Sequence, residues 1–457
     1  MSESTSSPKI NFYGGSGTVT GANFLFETGA TRLLVDCGLF QGGEFAHAKN
    51  RDPFPYNPAD ITDLFITHAH IDHIGRVPKL VKDGFHGPIW STGATRDLAR
   101  PMLEDMVHIL EYECRREGIL PIYDSRDLDE AFRRWQTIDY HQEMVIRDGL
   151  SVIPFNSGHI LGSAMYQFSW ADKKLMFTGD LGNSPSPLLP DNEELQDVNF
   201  LVMESVYGNK NHEPASERTR KLKETLLETI SGKRTLLIPS FSLERTQVLL
   251  YEMHKLIEDG GVPQIPVFVD SPLSIRITEI YSRAKEYFKP EVKRQIEAGQ
   301  NIFNFPKLRL AMNANTSAEI SRTPGPKVII AGSGMSVGGR VVRHERNYLP
   351  DPRTTVLFVG YQAAGTLGRR LADGEKEVMI EGERVTVRAR IASIEGFSSH
   401  KDSDHLVEFV SHSASSLKKV FVVMGEPKAS LFLVQRLRDY LGVNAIAPEA
   451  GETASLD

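Results

Sequence analysis

Short apolar runs separated by turn-forming residues fill the chain up to about residue 207, and the rhythm changes after it. KINFYGGSGTVTGANFLFET sets apolar residues at alternate positions and breaks them with glycines, which predicts successive hairpin strands. TRLLVDCGLF and ITDLFITHAH are β-prone runs ending in polar residues, and LSVIPFNSGHILGSAMYQFSW, KKLMFTGDLG and VNFLVMESVYG repeat the plan. Residues 101–120 mix apolar and charged positions in a way that suits a helix. Beyond residue 207, Leu222, Leu226, Leu227 and Ile230 are read as one helical face. RTLLIPS, PVFVDS, KVIIAGSG and TVLFVGYQ read as short buried strands, and LERTQVLLYEMHKLIEDG and ITEIYSRAKEYF as helices between them. Helices alternating with apolar strands predict a parallel α/β domain. Near residue 385, RVTVRARIASIEGF returns to strand alternation. KKVFVVMGE then reads as a strand, and SLFLVQRLRDYLG as a helix with Leu431, Val434, Leu437 and Leu441 on one face. The final APEAGETASLD reads as a weakly packed tail. The expectation is an α/β protein in which one domain, 1–207 and 388–457, is interrupted by a second at 208–387.

Composition narrows the class. With 457 residues the chain exceeds the size at which one core stops growing. No apolar run approaches the roughly 20 residues that span a bilayer, and MSESTSSPKI lacks the apolar stretch of a secretory signal. Two cysteines, Cys37 and Cys114, argue against a disulfide framework and fit a reducing cytoplasm. The net charge of −7 is uneven. Residues 206–390 hold 29 Lys and Arg against 21 Asp and Glu, and the rest of the chain holds 23 against 38. A basic middle segment points to an anionic partner.

ITHAHIDHIG packs His68, His70, Asp72 and His73 into six positions. These cannot share one helix face, but a turn after a strand can aim alternate side chains at one point. Imidazole and carboxylate are ligands that zinc, manganese or iron accept. His68 and His70 are expected to share one cation while Asp72 and His73 turn towards a second. Four ligands do not fill two sites, so others should lie at further strand ends. His159 in NSGHILGSA and Asp180 in FTGDLG meet that condition. Asp180, as a bridging carboxylate, would complete the first group with His68, His70 and His159, and contribute to the second with Asp72 and His73.

The order VDCG, H-x-H-x-D-H, GHILGSA and TGD resembles the metallo-β-lactamase superfamily. The resemblance implies an αββα sandwich with metals at one edge, and a supporting role beneath the ligand loop for Asp36. ESVYGNKNHE, IPSFSLERTQVLL, GSGMSVGGRVVRH, VGYQAAGTLGRRL and GFSSHKD further resemble the β-CASP nucleases, whose insertion is the parallel α/β domain. One position departs. Met424 in FVVMGEP stands where that family places a metal-binding histidine, and a thioether is a poor ligand for a borderline dication. Asp72, His73 and Asp180 would then keep the second cation with water filling in, ahead of His405 and His412, which lie nearby in sequence.

What the resemblance implies is a metal-dependent ribonuclease acting on single-stranded RNA, with internal cutting favoured over 5′–3′ exonucleolytic cutting and both left open. Two divalent ions, zinc with manganese as the alternative, would activate a hydroxide held by the Asp72-containing cluster. His400 would protonate the leaving oxygen with Glu204 as its carboxylate partner. Ser240, Arg245, Ser333, Gly334, Arg340 and His344 are the candidate phosphate contacts. Phe241 and Tyr361 could stack bases. DNA cleavage by the same family chemistry, and a non-catalytic RNA-binding subunit, are the competing readings; a homodimer is left open.

Overall fold

The computed structural model describes residues 7–42, 46–147, 149–363 and 365–457. It divides into two compact units. The first comprises Met1–Ser184, Asp191–Asn211 and His400–Asp457, and the second Pro185–Pro190 and His212–Ser399.

The first unit is built on two seven-stranded sheets. One runs, in spatial order, Thr453–Ser455, Lys9–Gly14, Asn23–Thr28, Thr31–Val35, Asp63–Phe65, Ile89–Ser91 and Trp135–Thr137. The other runs Ala445–Ile446, Lys419–Val422, Phe200–Met203, Lys173–Phe177, Ala164–Trp170, Leu150–Asn156 and Met144–Arg147. Strand period decides which side chains meet. Phe200 and Val202 face a core shared with Phe12, Phe24, Phe65 and Phe168. Leu201 and Met203 face the opposite way, onto Leu406 and Phe409 of helix Ser403–Ser411 and Leu433 and Leu437 of helix Pro427–Leu441. Aromatic edges close the gap between sheets, with Phe12–Phe421 and Phe65–Phe168 centroids both 5.2 Å apart. Helices Gly93–Glu117 and Ser125–Arg134 accompany the first sheet. The αββα sandwich is therefore present.

The second unit carries a six-stranded sheet, ordered Leu308–Leu310, Val267–Asp270, Lys327–Ala331, Thr235–Pro239, Thr354–Phe358 and Arg390–Ser393. Every neighbouring pair in it is parallel. Parallel strands covered on both faces read as continuous apolar runs, as TLLIP and KVIIA do.

Four expectations need correction. The strand Arg390–Ser393 pairs with Thr354–Phe358, so the return to the first unit falls at His400 rather than near 388. Leu227 and Leu431 are 38% and 61% exposed; the buried rows run through Leu222, Leu226 and Thr229, and through Ala429, Leu433, Val434 and Leu437. The long helix begins at Gly93, ahead of residue 101, because Thr92 caps it by accepting from the Thr95 N–H. The C-terminus is not a loose tail. Thr453–Ser455 adds an antiparallel strand to Lys9–Gly14, and Leu456 is fully buried. Removing its side chain leaves a cavity, so Leu456→Ala should cost about 2–5 kcal/mol of unfolding free energy. Urea denaturation followed by tryptophan fluorescence checks this, because Trp170 borders the same core.

Candidate functional site

The histidine-rich loop begins where strand Asp63–Phe65 ends, and backbone hydrogen bonds from Cys37 of the VDCG turn, from Leu39 just after it and from Ala22 hold it. Cys37 N–H donates to His73 O (2.8 Å), Leu39 N–H to Ile71 O (3.0 Å) and Ala22 N–H to Asp72 O (2.9 Å). Gly38 is required at this crossing: a Cβ there would fall 1.5 Å from the Asp72 carbonyl oxygen. Asp36 has left-handed backbone, φ 59°, and is 1% exposed. Its Oδ1 accepts from Thr67 N–H (2.8 Å), and its Oδ2 accepts from Thr67 Oγ1 (2.8 Å) and His73 Nδ1 (2.7 Å). The carboxylate thus lies under the loop and turns His73 so that Nε2 points away from it.

Other strand ends supply the remaining groups. His159 sits between strands Leu150–Asn156 and Ala164–Trp170, Asp180 follows Lys173–Phe177, and Glu204 follows Phe200–Met203. One donor atom from each of His68, His70, His159 and Asp180 lies within 4.8 Å of the others. His68 Nε2 and His159 Nε2 are 3.1 and 3.2 Å from His70 Nδ1, and 3.4 and 3.5 Å from Asp180 Oδ2. The second oxygen, Asp180 Oδ1, faces His73 Nε2 at 3.4 Å, and His73 Nε2 lies 3.9 Å from Asp72 Oδ2. His73 Nε2 and Asp180 Oδ1 are buried without a hydrogen-bond partner. Two orphaned polar atoms facing each other, beside three imidazoles and a carboxylate converging on one point, fit divalent cations. Burial holds His68 below the ordinary histidine range, and His70 and His159 well below it, in the neutral form that ligates.

His400 adjoins the cluster, its ring centroid 4.6 Å from that of His159. Its Nδ1 is 3.2 Å from Glu204 Oε2 and 3.8 Å from Asp180 Oδ2. Burial pulls its pKa down, but the Glu204 and Asp180 carboxylates outweigh that and raise it to about 9. Glu204 is fully buried and oriented by the Leu181 N–H, which donates to Oε1 at 2.5 Å.

Met424 belongs to the apolar core, with Phe24 and Val423. Its backbone N–H donates to Gly15 O (2.6 Å), and a Cβ on Gly15 would fall 2.5 Å from its sulfur. The second group is left with Asp72, His73 and Asp180. His405 does not join it, since its Nδ1 is 2.6 Å from Asp402 Oδ1, and His412 faces Glu194 at 3.6 Å.

The proposed phosphate contacts fare unevenly. In the second unit Arg340 Nη1 donates to Asp270 Oδ1 (2.6 Å) and His344 Nε2 lies 2.7 Å from Asp270 Oδ2. Ser317 Oγ donates to the same carboxylate at 2.5 Å. This buried network accounts for Arg340 and His344 within the fold. Ser240 is buried and bonded to Thr246 (3.1 Å), and Arg245 Nη1 donates to Val359 O (3.0 Å). Ser333 Oγ accepts from Val337 N–H (3.1 Å), and Gly334 lies against the Phe241 ring. Phe241 and Tyr361 are 36% and 42% exposed. The sequence reading missed Asp270 and Thr67, although each ends an apolar strand, as Asp36 and Asp180 do.

Two tests follow from these geometries. Burial pushes the Asp270 carboxyl up, but His344, Ser317 and Arg340 outweigh it and hold it at about 2. A depressed carboxylate stabilises the fold above its unfolded value, about 3.9, and that contribution fades as pH falls towards 2. Asp270→Asn should cost about 3–5 kcal/mol near neutral pH and flatten the acid limb of a stability-versus-pH curve. For the cation groups, four donors against three should give one tight and one weaker ion. Elemental analysis after graded chelation should show His159→Ala losing the tight ion and Asp72→Asn losing only the weaker one.

Comparison with known proteins gives this geometry its context. Residues 25–196 match the profile of the metallo-β-lactamase superfamily domain, 246–371 that of the Beta-Casp domain, and 384–448 that of the Zn-dependent metallo-hydrolase RNA specificity domain. A ribonuclease from Thermus thermophilus is 34% identical over 421 residues, covering 92% of this chain and 94% of that protein. A transcription termination factor from Methanosarcina mazei is 31% identical over 464 residues, covering 98% of this chain and 71% of the factor. A crystal structure of an Enterococcus faecalis protein of unknown function superposes with a TM-score of 0.58 at 13% identity, covering 99% of this chain and 100% of that one, which speaks to fold alone. Extended identity to these relatives, together with the clustered donors, places the chain in the β-CASP family of the metallo-β-lactamase superfamily, as a metal-dependent hydrolase.

Proposed function

We propose that this protein is a ribonuclease that hydrolyses internal phosphodiester bonds of single-stranded RNA. The observation that carries the reading is the convergence of His68, His70, His159 and Asp180 beside the His400–Glu204 pair. A ribonuclease relative and the match to an RNA specificity domain support RNA as the substrate. Three imidazoles and a carboxylate favour zinc over manganese.

His68, His70, His159 and Asp180 would hold one ion, and Asp72 and His73 would, with Asp180, hold a second. When bound, such ions supply Lewis acidity, which offsets phosphodiester charge and makes water acidic enough to attack near neutral pH. Asp36 holds His73 with its Nε2 facing Asp180 Oδ1. His400 carries a proton near neutral pH and delivers it to the leaving oxygen, and Glu204 orients its ring. Cleavage from a 5′ end needs a built pocket for the terminal phosphate. The commitment of Arg340 and His344 to Asp270 argues against that pocket and for internal cleavage. The GSG turn with Ser333 is the remaining phosphate contact, and the exposed Phe241 and Tyr361 rings are platforms for bases.

The test is end-labelled single-stranded RNA, beside DNA of the same sequence, given to zinc-loaded protein. Internal RNA fragments are expected, absent with His68→Ala or chelator. His400→Ala should lower turnover by about 10²–10⁴-fold while retaining its metal. Cleavage of DNA alone, or a ladder built from the 5′ end, overturns the substrate or the mode. No cleavage by loaded protein leaves a non-catalytic RNA-binding subunit as the better account.

A further inference from the structure

Thr67 belongs to none of the ligand sets, yet its side chain touches all of them. It is 1% exposed. Its Oγ1 lies 2.8 Å from Asp36 Oδ2, 3.1 Å from His68 Nδ1 and 3.5 Å from His73 Nδ1. Its backbone N–H donates to Asp36 Oδ1, and its carbonyl accepts from Ala164 N–H at 2.8 Å. On the far side it packs against bare backbone. A Cβ placed on Gly179, which has φ +53°, would fall 2.6 Å from Thr67 Cβ and 2.7 Å from Oγ1. Gly179 immediately precedes Asp180.

Counting protons assigns the direction of each bond. A hydroxyl has one proton and two acceptor positions. The Asp36 carboxylate only accepts, so Thr67 donates its proton there. The hydroxyl is then an acceptor towards His68, whose Nδ1 must carry the ring proton. That leaves the lone pair of His68 on Nε2, the atom that meets His70 Nδ1 and Asp180 Oδ2. The opposite tautomer would put hydrogen on Nε2 and close that ligand position.

We infer that Thr67 is a positioning residue that sets the tautomer of His68 and links it, through Asp36, to His73, so that one hydroxyl organises a ligand of each cation. This inference rests on the metal reading above. The hydroxyl does the orienting, while Cβ, Oγ1 and the methyl carbon all pack over Gly179. The two roles separate by substitution, because valine keeps the shape and loses the hydroxyl while serine does the reverse.

The test is a competitive zinc titration against a chromophoric chelator, on wild type, Thr67→Val and Thr67→Ser. It is paired with long-range ¹H–¹⁵N correlation of the histidine rings. Thr67→Val is expected to weaken the tighter zinc by about 10–100-fold, and to lose the Nδ1–H signature of His68 with the chain still folded by circular dichroism. Thr67→Ser should restore affinity to within about threefold and restore the signature. Wild-type zinc affinity and tautomer in Thr67→Val would overturn the inference, as would equal losses in both variants, which would mark a packing role. If wild type itself binds no zinc, the metal reading fails, a result distinct from either.

Discussion

The carboxylate of Asp36 is the constraint on which the rest of the site depends. A carboxyl that is 1% exposed must have its oxygens satisfied inside the protein. Asp36 does so with three donors, all from the loop that follows the adjacent strand. Satisfying one buried carboxylate therefore also fixes Thr67 and His73. The left-handed backbone at Asp36 and the absence of a side chain at Gly38 let the two loops cross closely enough for this to happen.

Crowding is the second theme. His68 and His73 ring centroids are 4.0 Å apart, and both rings are fully buried. Imidazoles so close cannot all be charged, and the orphaned atoms on His73 and Asp180 show that hydrogen bonding within the protein does not exhaust their capacity. A divalent ion would satisfy these atoms together. Met424 sits in the apolar core over Gly15, where a sulfur contributes packing, and stands outside both donor groups.

Asp270 offers a comparison within the same chain. It too ends an apolar strand and is fully buried. Its partners, however, are Arg340, His344 and Ser317, which meet its acceptor capacity with donors of the second unit. The same position at a strand end thus carries a carboxylate oxygen without a hydrogen-bond partner in one unit and a closed ion network in the other. The difference lies in whether the surrounding groups are donors or acceptors.

Much of this was legible in the linear pattern. Period-two alternation and strand–helix alternation identified the two kinds of sheet, because local burial writes its own periodicity into the chain. H-x-H-x-D-H pointed to a loop whose imidazoles converge, and the fold brings His68 and His70 together with His159 and Asp180. Three things were decided only in three dimensions. Thr453–Ser455 looks like a tail, since its partner Lys9–Gly14 lies more than 400 residues away and strand pairing at that distance leaves no local trace. Arg340 and His344 look like phosphate contacts, since basic side chains beside a glycine turn cannot announce that a buried aspartate from another strand already holds them. Thr67 looks like one more β-branched residue, and its importance exists only in the meeting of Asp36, His68 and Gly179. A sequence specifies which groups can bond, and packing specifies which of them find each other.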